Sequence, residues 1–157
     1  MKSVKQQQMI INQTITYVKH ELNNAEGGHD WWHIYRVWKM ACKIAEKENV
    51  DFFIVQLAAL LHDIADPKFH GGDENIGPEK ASAFLKKLEI DAAASDHILN
   101  IIRHMSFKNS LGEVGFQSGE MDVVQDADRL DAIGAIGIAR AFNYGGYKNR
   151  PLYDPQI

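Results

Sequence analysis

Three short segments of the sequence contain residue types that can bind a metal ion. They hold His33, the adjacent pair His62-Asp63, and Asp128. Neutral imidazole and carboxylate groups without sulfur form a mixed nitrogen and oxygen ligand set, which suits manganese, iron, cobalt, nickel, zinc or magnesium. Four protein ligands on a metal that prefers six leave two positions for a water and a substrate oxygen. The residues therefore indicate a site where one divalent ion can bring water and substrate together.

The His62-Asp63 pair lies near the end of residues 52–65, the most apolar segment of the chain. The length of this segment and its repeated Ala and Leu favour a buried helix over a buried strand. An ionised carboxylate beside a dry core is costly unless it is paired or bound to a metal. A solvated helix end is the alternative interpretation, and the residues alone leave both open.

His33 and Asp128 also lie on apolar stripes of predicted helices. His33 shares a face with Val37 and Ala41 by helical spacing, and Asp128 shares one with Val124. A histidine in such a place can be a hydrogen-bonded core residue, and the acids near Asp128 can be a charged surface. Because all these groups fall on separate buried helices, we interpret them together as one ligand set.

The elements that must position these groups are helices. Apolar spacing, caps and breakers predict six of them, over residues 4–22, 31–47, 52–65, 78–88, 91–105 and 120–143. Asp30 and Asp51 are the expected N-caps of the second and third. Alternating strand patterns are absent from the sequence. We expect an all-α bundle of about six helices, forming a single domain over residues 1–157, with close helix packing around the glycines of residues 132–137.

Composition narrows the class of protein further. The 157 residues are 45% hydrophobic with a net charge of −4, which supports a packed core and gives no basic footprint for a nucleic acid polymer. Cys42 is the single cysteine, which excludes an intramolecular disulfide. No apolar run is long enough to span a membrane, and the N-terminal residues have no signal-peptide core. We expect a cytoplasmic protein without a membrane partner.

The sequence resembles the HD-domain superfamily of metal-dependent phosphohydrolases. The family pattern H…HD…D matches His33, His62-Asp63 and Asp128, and the surrounding segments 57–66 and 126–134 resemble the family as well. The match runs from about residue 28 to 143. The resemblance implies an enzyme that hydrolyses a phosphoester or phosphoanhydride with a metal-activated water.

The segments at residues 28–33 and 126–137 resemble a narrower bacterial subgroup, some members of which are similar to nucleoside triphosphate pyrophosphohydrolases. That resemblance implies a small phosphorylated substrate of nucleotide type. Related nucleotidases have a Glu for proton transfer three residues after the HD aspartate, and here Asp66 occupies this position and is the expected catalytic residue. The tail after Gly146 is short beside this subgroup, which fits either a short variant or a truncated chain.

Several further residues are candidates for substrate contact. His104 ends an apolar helix as the ligands do, and Arg36 follows His33 by one turn. His29 can reach the opening of the expected metal site. Each also has a structural alternative: a helix cap for His104, a buried ion pair for Arg36, and a turn for His29.

Two alternative functions stay open. Added ligands from His70, His97 and His104 would make a dinuclear centre, of the oxygenase or cyclic-dinucleotide phosphodiesterase type. A nucleotide sensor with a structural metal is the non-catalytic alternative. A homodimer is also left open.

Overall fold

The computed structural model describes residues 2–23, 25, 28–65, 71, 73–105 and 115–156. Within these ranges there are seven α-helices and no strand, so the expected all-α class is confirmed. The helices are α1 (Val4–Glu21), α2 (Trp31–Ala45), α3 (Phe52–Leu61), α4 (Ile76–Lys87), α5 (Ala92–His104), α6 (Gly119–Asp131) and α7 (Gly134–Tyr147).

Helices α2 and α3, which help to position the site, each begin at a capping aspartate. The Asp30 side chain accepts hydrogen bonds from the backbone N–H groups of Trp32 and His33, and the Asp51 side chain accepts them from Phe53 and Ile54. Each carboxylate satisfies donors that have no partner within the helix. Both predicted N-caps are confirmed, and each fixes the start of a helix that carries a candidate ligand.

Helix α3 forms the centre of the bundle. Seven of its ten residues are buried, which explains why its sequence is apolar on every face rather than on one stripe. Helices α1, α2, α5 and α6 all pack against it, and α2 also packs along α6. The three segments that carry His33, His62-Asp63 and Asp128 are therefore neighbours in the interior of the bundle.

The predicted long helix over 120–143 is wrong in one respect, because it is broken between Asp131 and Gly134. Gly134 has a φ of +67°, a left-handed backbone conformation that glycine adopts without steric cost. A Cβ atom at Gly137 would collide with the carbonyl group of Ala132. The small residues thus serve a tight turn between α6 and α7, and the expected close packing of a continuous helix is not what they provide.

Helix α7 differs from the other helices in its burial. None of its residues is buried, and the large apolar side chains of Ile136, Ile138 and Phe142 are exposed.

No helix among the described residues combines the length and the apolar character that crossing a bilayer requires.

Candidate metal centre

His33 is placed by the first turn of α2. Its backbone N–H is capped by Asp30, and its side chain points inward on the same face as the buried Val37 and Ala41. The residue is only 1% exposed. The stripe that the sequence predicted for this helix therefore directs the imidazole into the bundle.

His62 is placed by the end of α3, where it is the C-cap residue. Its Nδ1 lies 2.8 Å from the carbonyl oxygen of Ala59, one turn earlier in the helix. Because a carbonyl can only accept, Nδ1 carries a proton, and in the neutral imidazole Nε2 then presents its lone pair. The helix end thus fixes the tautomer that a metal ligand needs.

The side chains of His33, His62 and Asp128 converge on one point. Each offers one ligand atom, and these atoms all lie within 4.8 Å of one another. The Nε2 atom of His33 is 3.4 Å from Oδ1 of Asp128, and Nε2 of His62 is 3.8 Å from the same oxygen. A metal at about 2.1 Å from each ligand holds neighbouring octahedral ligands about 3 Å apart, so small adjustments suffice to close this group around an ion.

Asp63, the fourth expected ligand, lies beside this group without belonging to the mutually close set. Its Oδ2 is 4.0 Å from Nε2 of His33. Its side chain is 18% exposed, against 5% for that of His62. Asp63 as a fourth ligand stays a prediction.

One polar atom of the donor set lacks a hydrogen-bond partner. Among the described residues, Nε2 of His62 is a buried side-chain nitrogen with no hydrogen-bond partner. A buried polar atom without a partner costs free energy, and such atoms are uncommon in folded proteins. An ion at the centre of the cluster would supply the missing partner, so the residues fit a divalent metal.

The protonation state of His33 also suits a ligand. Burial lowers the pKa of His33, and the neighbouring His62 and Arg140 act in the same direction, against the opposing effect of its hydrogen bond to Asp131. The imidazole is therefore neutral near pH 7, as metal ligation requires.

Asp131 orients His33 from behind. Its Oδ2 lies 2.7 Å from Nδ1 of His33, and its Oδ1 accepts a 2.6 Å hydrogen bond from Nε of Arg36. Burial alone would raise the pKa of Asp131, but the hydrogen bonds from His33 and Arg36 outweigh it and hold that pKa far below its ordinary value. The ionised carboxylate keeps the proton of His33 on Nδ1, which leaves Nε2 free for the cluster.

The expected substrate contacts occupy different surroundings. Arg36 pairs with Asp131, the structural alternative that its spacing had suggested. The ring of His29 lies 6.3 Å from that of His33 and 6.1 Å from that of Tyr144 on α7. His104 donates from Nδ1 to the carbonyl of Asn100, with its ring 5.8 Å from Phe116. These residues keep their substrate roles as predictions.

Two residues of the earlier interpretation lie outside the described residues. They are Asp66, the expected catalytic carboxylate, and His70, one of the added ligands of the dinuclear alternative. His97, another added ligand, has Nε2 at 2.9 Å from Ser118 Oγ and 3.3 Å from Glu120 Oε2. The His97 ring therefore contacts the residues that begin α6.

Sequence reasoning missed the roles of Asp131 and Arg140. Asp131 lies one turn after Asp128, and Arg36 lies one turn after His33, so matching spacings on two helices were a usable signal. Arg140 comes from α7, and its Nη1 donates to Asp131 Oδ2 at 3.0 Å. Nothing in its sequence context pointed to the site, because the break before α7 brings it there.

Comparison with known proteins agrees with this fold. The HD domain family model matches residues 31–133. The Bacillus subtilis protein YpgQ is 41% identical over 155 residues, which cover 98% of this chain and 73% of YpgQ. A solved HD-superfamily hydrolase from Bacillus thuringiensis is 48% identical, with a TM-score of 0.72 over 96% of this chain and 72% of that one. A structure of YpgQ in complex with ADP is 41% identical, with a TM-score of 0.75 over 95% of this chain and 72% of that one.

The fold and the histidine–aspartate cluster together define an HD-domain protein, and the chain belongs to the HD domain family. The family expected from the sequence is confirmed. The hydrolase class is confirmed as well, because solved neighbours are described as HD-superfamily hydrolases. The narrower pyrophosphohydrolase subgroup stays a prediction.

Proposed function

We propose that this protein is a metal-dependent phosphohydrolase that cleaves a phosphoester or phosphoanhydride bond of a nucleotide. The observation that carries the proposal is the convergence of His33, His62 and Asp128, in which the Nδ1 atom of each imidazole has a hydrogen-bond partner outside the cluster. Such a preformed arrangement of neutral nitrogen and carboxylate ligands has little use in a protein that binds no metal.

His33, His62, Asp63 and Asp128 would hold one divalent ion. When bound, the ion supplies a coordinated water of lowered pKa and offsets negative charge on the phosphoryl oxygens. Two of the ligands are locked by hydrogen bonds from behind, and this reduces the reorganisation required when substrate arrives. The candidate metals are Mn²⁺, Mg²⁺, Co²⁺, Ni²⁺, Fe²⁺ and Zn²⁺.

Proton transfer is assigned to Asp66. This carboxylate follows Asp63 by three residues in the sequence. Orienting the attacking water, or taking its proton, requires a carboxylate within hydrogen-bond reach of the water. We assign that role to Asp66 on its sequence position and on the family resemblance.

Substrate contact is assigned to the side of the cluster that faces α7. The ring of His29 is near those of His33 and Tyr144, and Lys148 and Arg150 both approach the ring of Tyr144. These groups combine positive charge with an aromatic surface, which suits a phosphorylated ligand that carries a base. The complex of the related YpgQ with ADP supports a nucleotide as the ligand class.

The test is a substrate screen of the metal-stripped protein, reloaded with each candidate metal. Nucleoside mono-, di- and triphosphates and simple phosphate esters are incubated with it, and phosphate and pyrophosphate release are assayed separately. We expect metal-dependent turnover of nucleotides. Pyrophosphate release from triphosphates would support the narrower subgroup, and phosphate release from monophosphates would indicate a nucleotidase.

A matched pair of variants separates the site from a contaminating activity. Asp128→Asn removes a ligand, whereas Asp126→Asn makes the same change at an exposed position two residues away on α6. We expect the first to lose turnover by on the order of 100-fold or more and the second to retain it. No turnover with any metal would favour the sensor alternative, and equal turnover of both variants would overturn the proposal.

A further inference from the structure

Helix α7 is tied to the rest of the protein in an unusual way. None of its residues is buried, so apolar packing contributes little to holding it in place. Arg140 is one of its partly buried side chains, with an exposure of 19%. What Arg140 contacts therefore matters for how α7 is placed.

Arg140 joins three segments of the chain. Its Nε donates to the carbonyl oxygen of Gly28, just before α2, at 2.9 Å. Its Nη1 donates to Oδ2 of Asp131, at the end of α6, at 3.0 Å. A planar guanidinium has its donors in fixed relative directions, so satisfying both partners fixes the distance between these two segments.

The oxygen that Arg140 contacts is the one that holds His33. Oδ2 of Asp131 lies 2.7 Å from Nδ1 of His33 and 3.0 Å from Nη1 of Arg140. Arg36 binds both carboxylate oxygens from another direction. Oδ2 of Asp131 therefore has three partners, the Nδ1 atom of His33 and one guanidinium nitrogen each from Arg36 and Arg140.

We propose that Arg140 is a positioning residue of the metal centre, which couples the docking of α7 to the affinity for the metal. The proposal rests on the metal-binding part of the proposed function. The path is short: Arg140 orients Asp131, Asp131 orients His33, and His33 points Nε2 at the ion. Because coupling between two equilibria is reciprocal, metal binding also strengthens the docking of α7.

The test measures Mn²⁺ binding to the metal-free protein by isothermal titration calorimetry. We expect Arg140→Gln to weaken binding roughly tenfold with the stoichiometry unchanged, as is typical for residues behind a metal ligand. Arg140→Lys keeps the charge but loses the planar guanidinium with its several donors, so we expect an intermediate affinity for Mn²⁺. Arg103→Gln makes the same chemical change at an exposed position in the last turn of α5 and should bind Mn²⁺ as the wild type does.

A second measurement reports on α7 itself. Hydrogen exchange of the α7 backbone amides should slow when Mn²⁺ binds the wild type, and this protection should be much weaker in Arg140→Gln. Circular dichroism of each variant checks that the bundle is folded, and Arg140→Lys serves in place of Arg140→Gln if that variant is not.

The possible failures are distinguishable. Absence of Mn²⁺ binding in the wild type would overturn the proposed function together with this inference. Wild-type binding that is matched by Arg140→Gln and Arg140→Lys would overturn the inference alone. So would α7 exchange that does not respond to Mn²⁺ in the wild type.

Discussion

His62 is the residue whose surroundings say most about the site. One ring nitrogen is satisfied by the Ala59 carbonyl, and the other is buried with no partner among the described residues. An unsatisfied buried polar atom costs about 1–3 kcal/mol, whereas a typical hydrogen bond contributes about 1 kcal/mol. The metal-free protein therefore keeps a ligand at the expense of its own stability.

The prediction at this scale concerns His62→Leu. In the presence of EDTA we expect its free energy of unfolding to equal that of the wild type or to exceed it by up to about 2 kcal/mol, because the orphaned nitrogen is removed with the hydrogen bond. Urea denaturation followed by circular dichroism measures this. His20→Leu, at an exposed position, is the control for the change in side chain. A large loss of stability in His62→Leu would show that the imidazole is structural.

The single-residue features that the sequence could predict are those set by local spacing. His33, His62 and Asp128 lie where the apolar stripes and caps of their helices direct them. The link from Asp131 to His33 joins residues 98 positions apart, and it depends on how α2 and α6 pack. Such contacts follow from tertiary structure, and no local pattern specifies them.

At the scale of elements, one acidic residue connects the starts of two helices with a third. Oε1 of Glu120, in the first turn of α6, accepts a 2.8 Å hydrogen bond from the backbone N–H of Asp51, which caps α3. Its Oε2 lies 3.3 Å from Nε2 of His97 on α5. Burial acts to raise the pKa of Glu120, but the hydrogen bond from Asp51 and the remaining favourable contacts lower it overall.

This contact predicts a pH-dependent contribution to stability. A carboxylate whose pKa is lowered by folding stabilises the protein above its unfolded pKa, and the contribution is lost as the pH falls through the folded pKa. We expect Glu120→Gln to lower the free energy of unfolding by about 1 kcal/mol at pH 7, with the difference from wild type shrinking below pH 4.5.

Chemical denaturation at a series of pH values measures the difference. Asp122→Asn changes an exposed acid in the same first turn of α6 and controls for the helix dipole. A difference for Glu120→Gln that persists undiminished in acid would contradict the assignment.

The break between α6 and α7 marks the limit of prediction at the scale of elements. The residues from 120 to 143 have continuous helical spacing, so a local pattern indicates one helix. The left-handed conformation of Gly134 and the close approach at Gly137 interrupt it. Glycine permits such a turn without requiring it, so a local pattern does not specify the break.

At the scale of the whole molecule, the chain and its proposed substrate carry net charges of the same sign. The net charge is −4, and nucleotides are anions. Attraction must therefore be local, from a bound cation and from basic side chains such as Lys148 and Arg150, which lie beside Tyr144. The same reasoning explains why overall composition, which argued against nucleic acid polymers, did not argue against a phosphorylated ligand.

Metal binding should also stabilise the whole fold, because the ligands come from three segments that meet only in the folded state. An ion present at 100 times its dissociation constant adds about 2.7 kcal/mol by mass action. For a chain of this size that corresponds to a rise in Tm of roughly 5–10 °C. Differential scanning fluorimetry with Mn²⁺ and then excess EDTA measures it. The rise should be absent in Asp128→Asn and present in Asp126→Asn, and a rise of equal size in both would place the ion elsewhere.

The most direct test of the central claim is the number of metal ions that each chain binds. The protein is stripped with a chelator, reloaded with Mn²⁺, desalted and analysed by mass spectrometry of the metal content. The account predicts one ion per chain for the wild type and for Asp126→Asn, and close to none for Asp128→Asn and His62→Ala. Two ions per wild-type chain would favour the dinuclear alternative, and an unchanged content in the ligand variants would contradict the account.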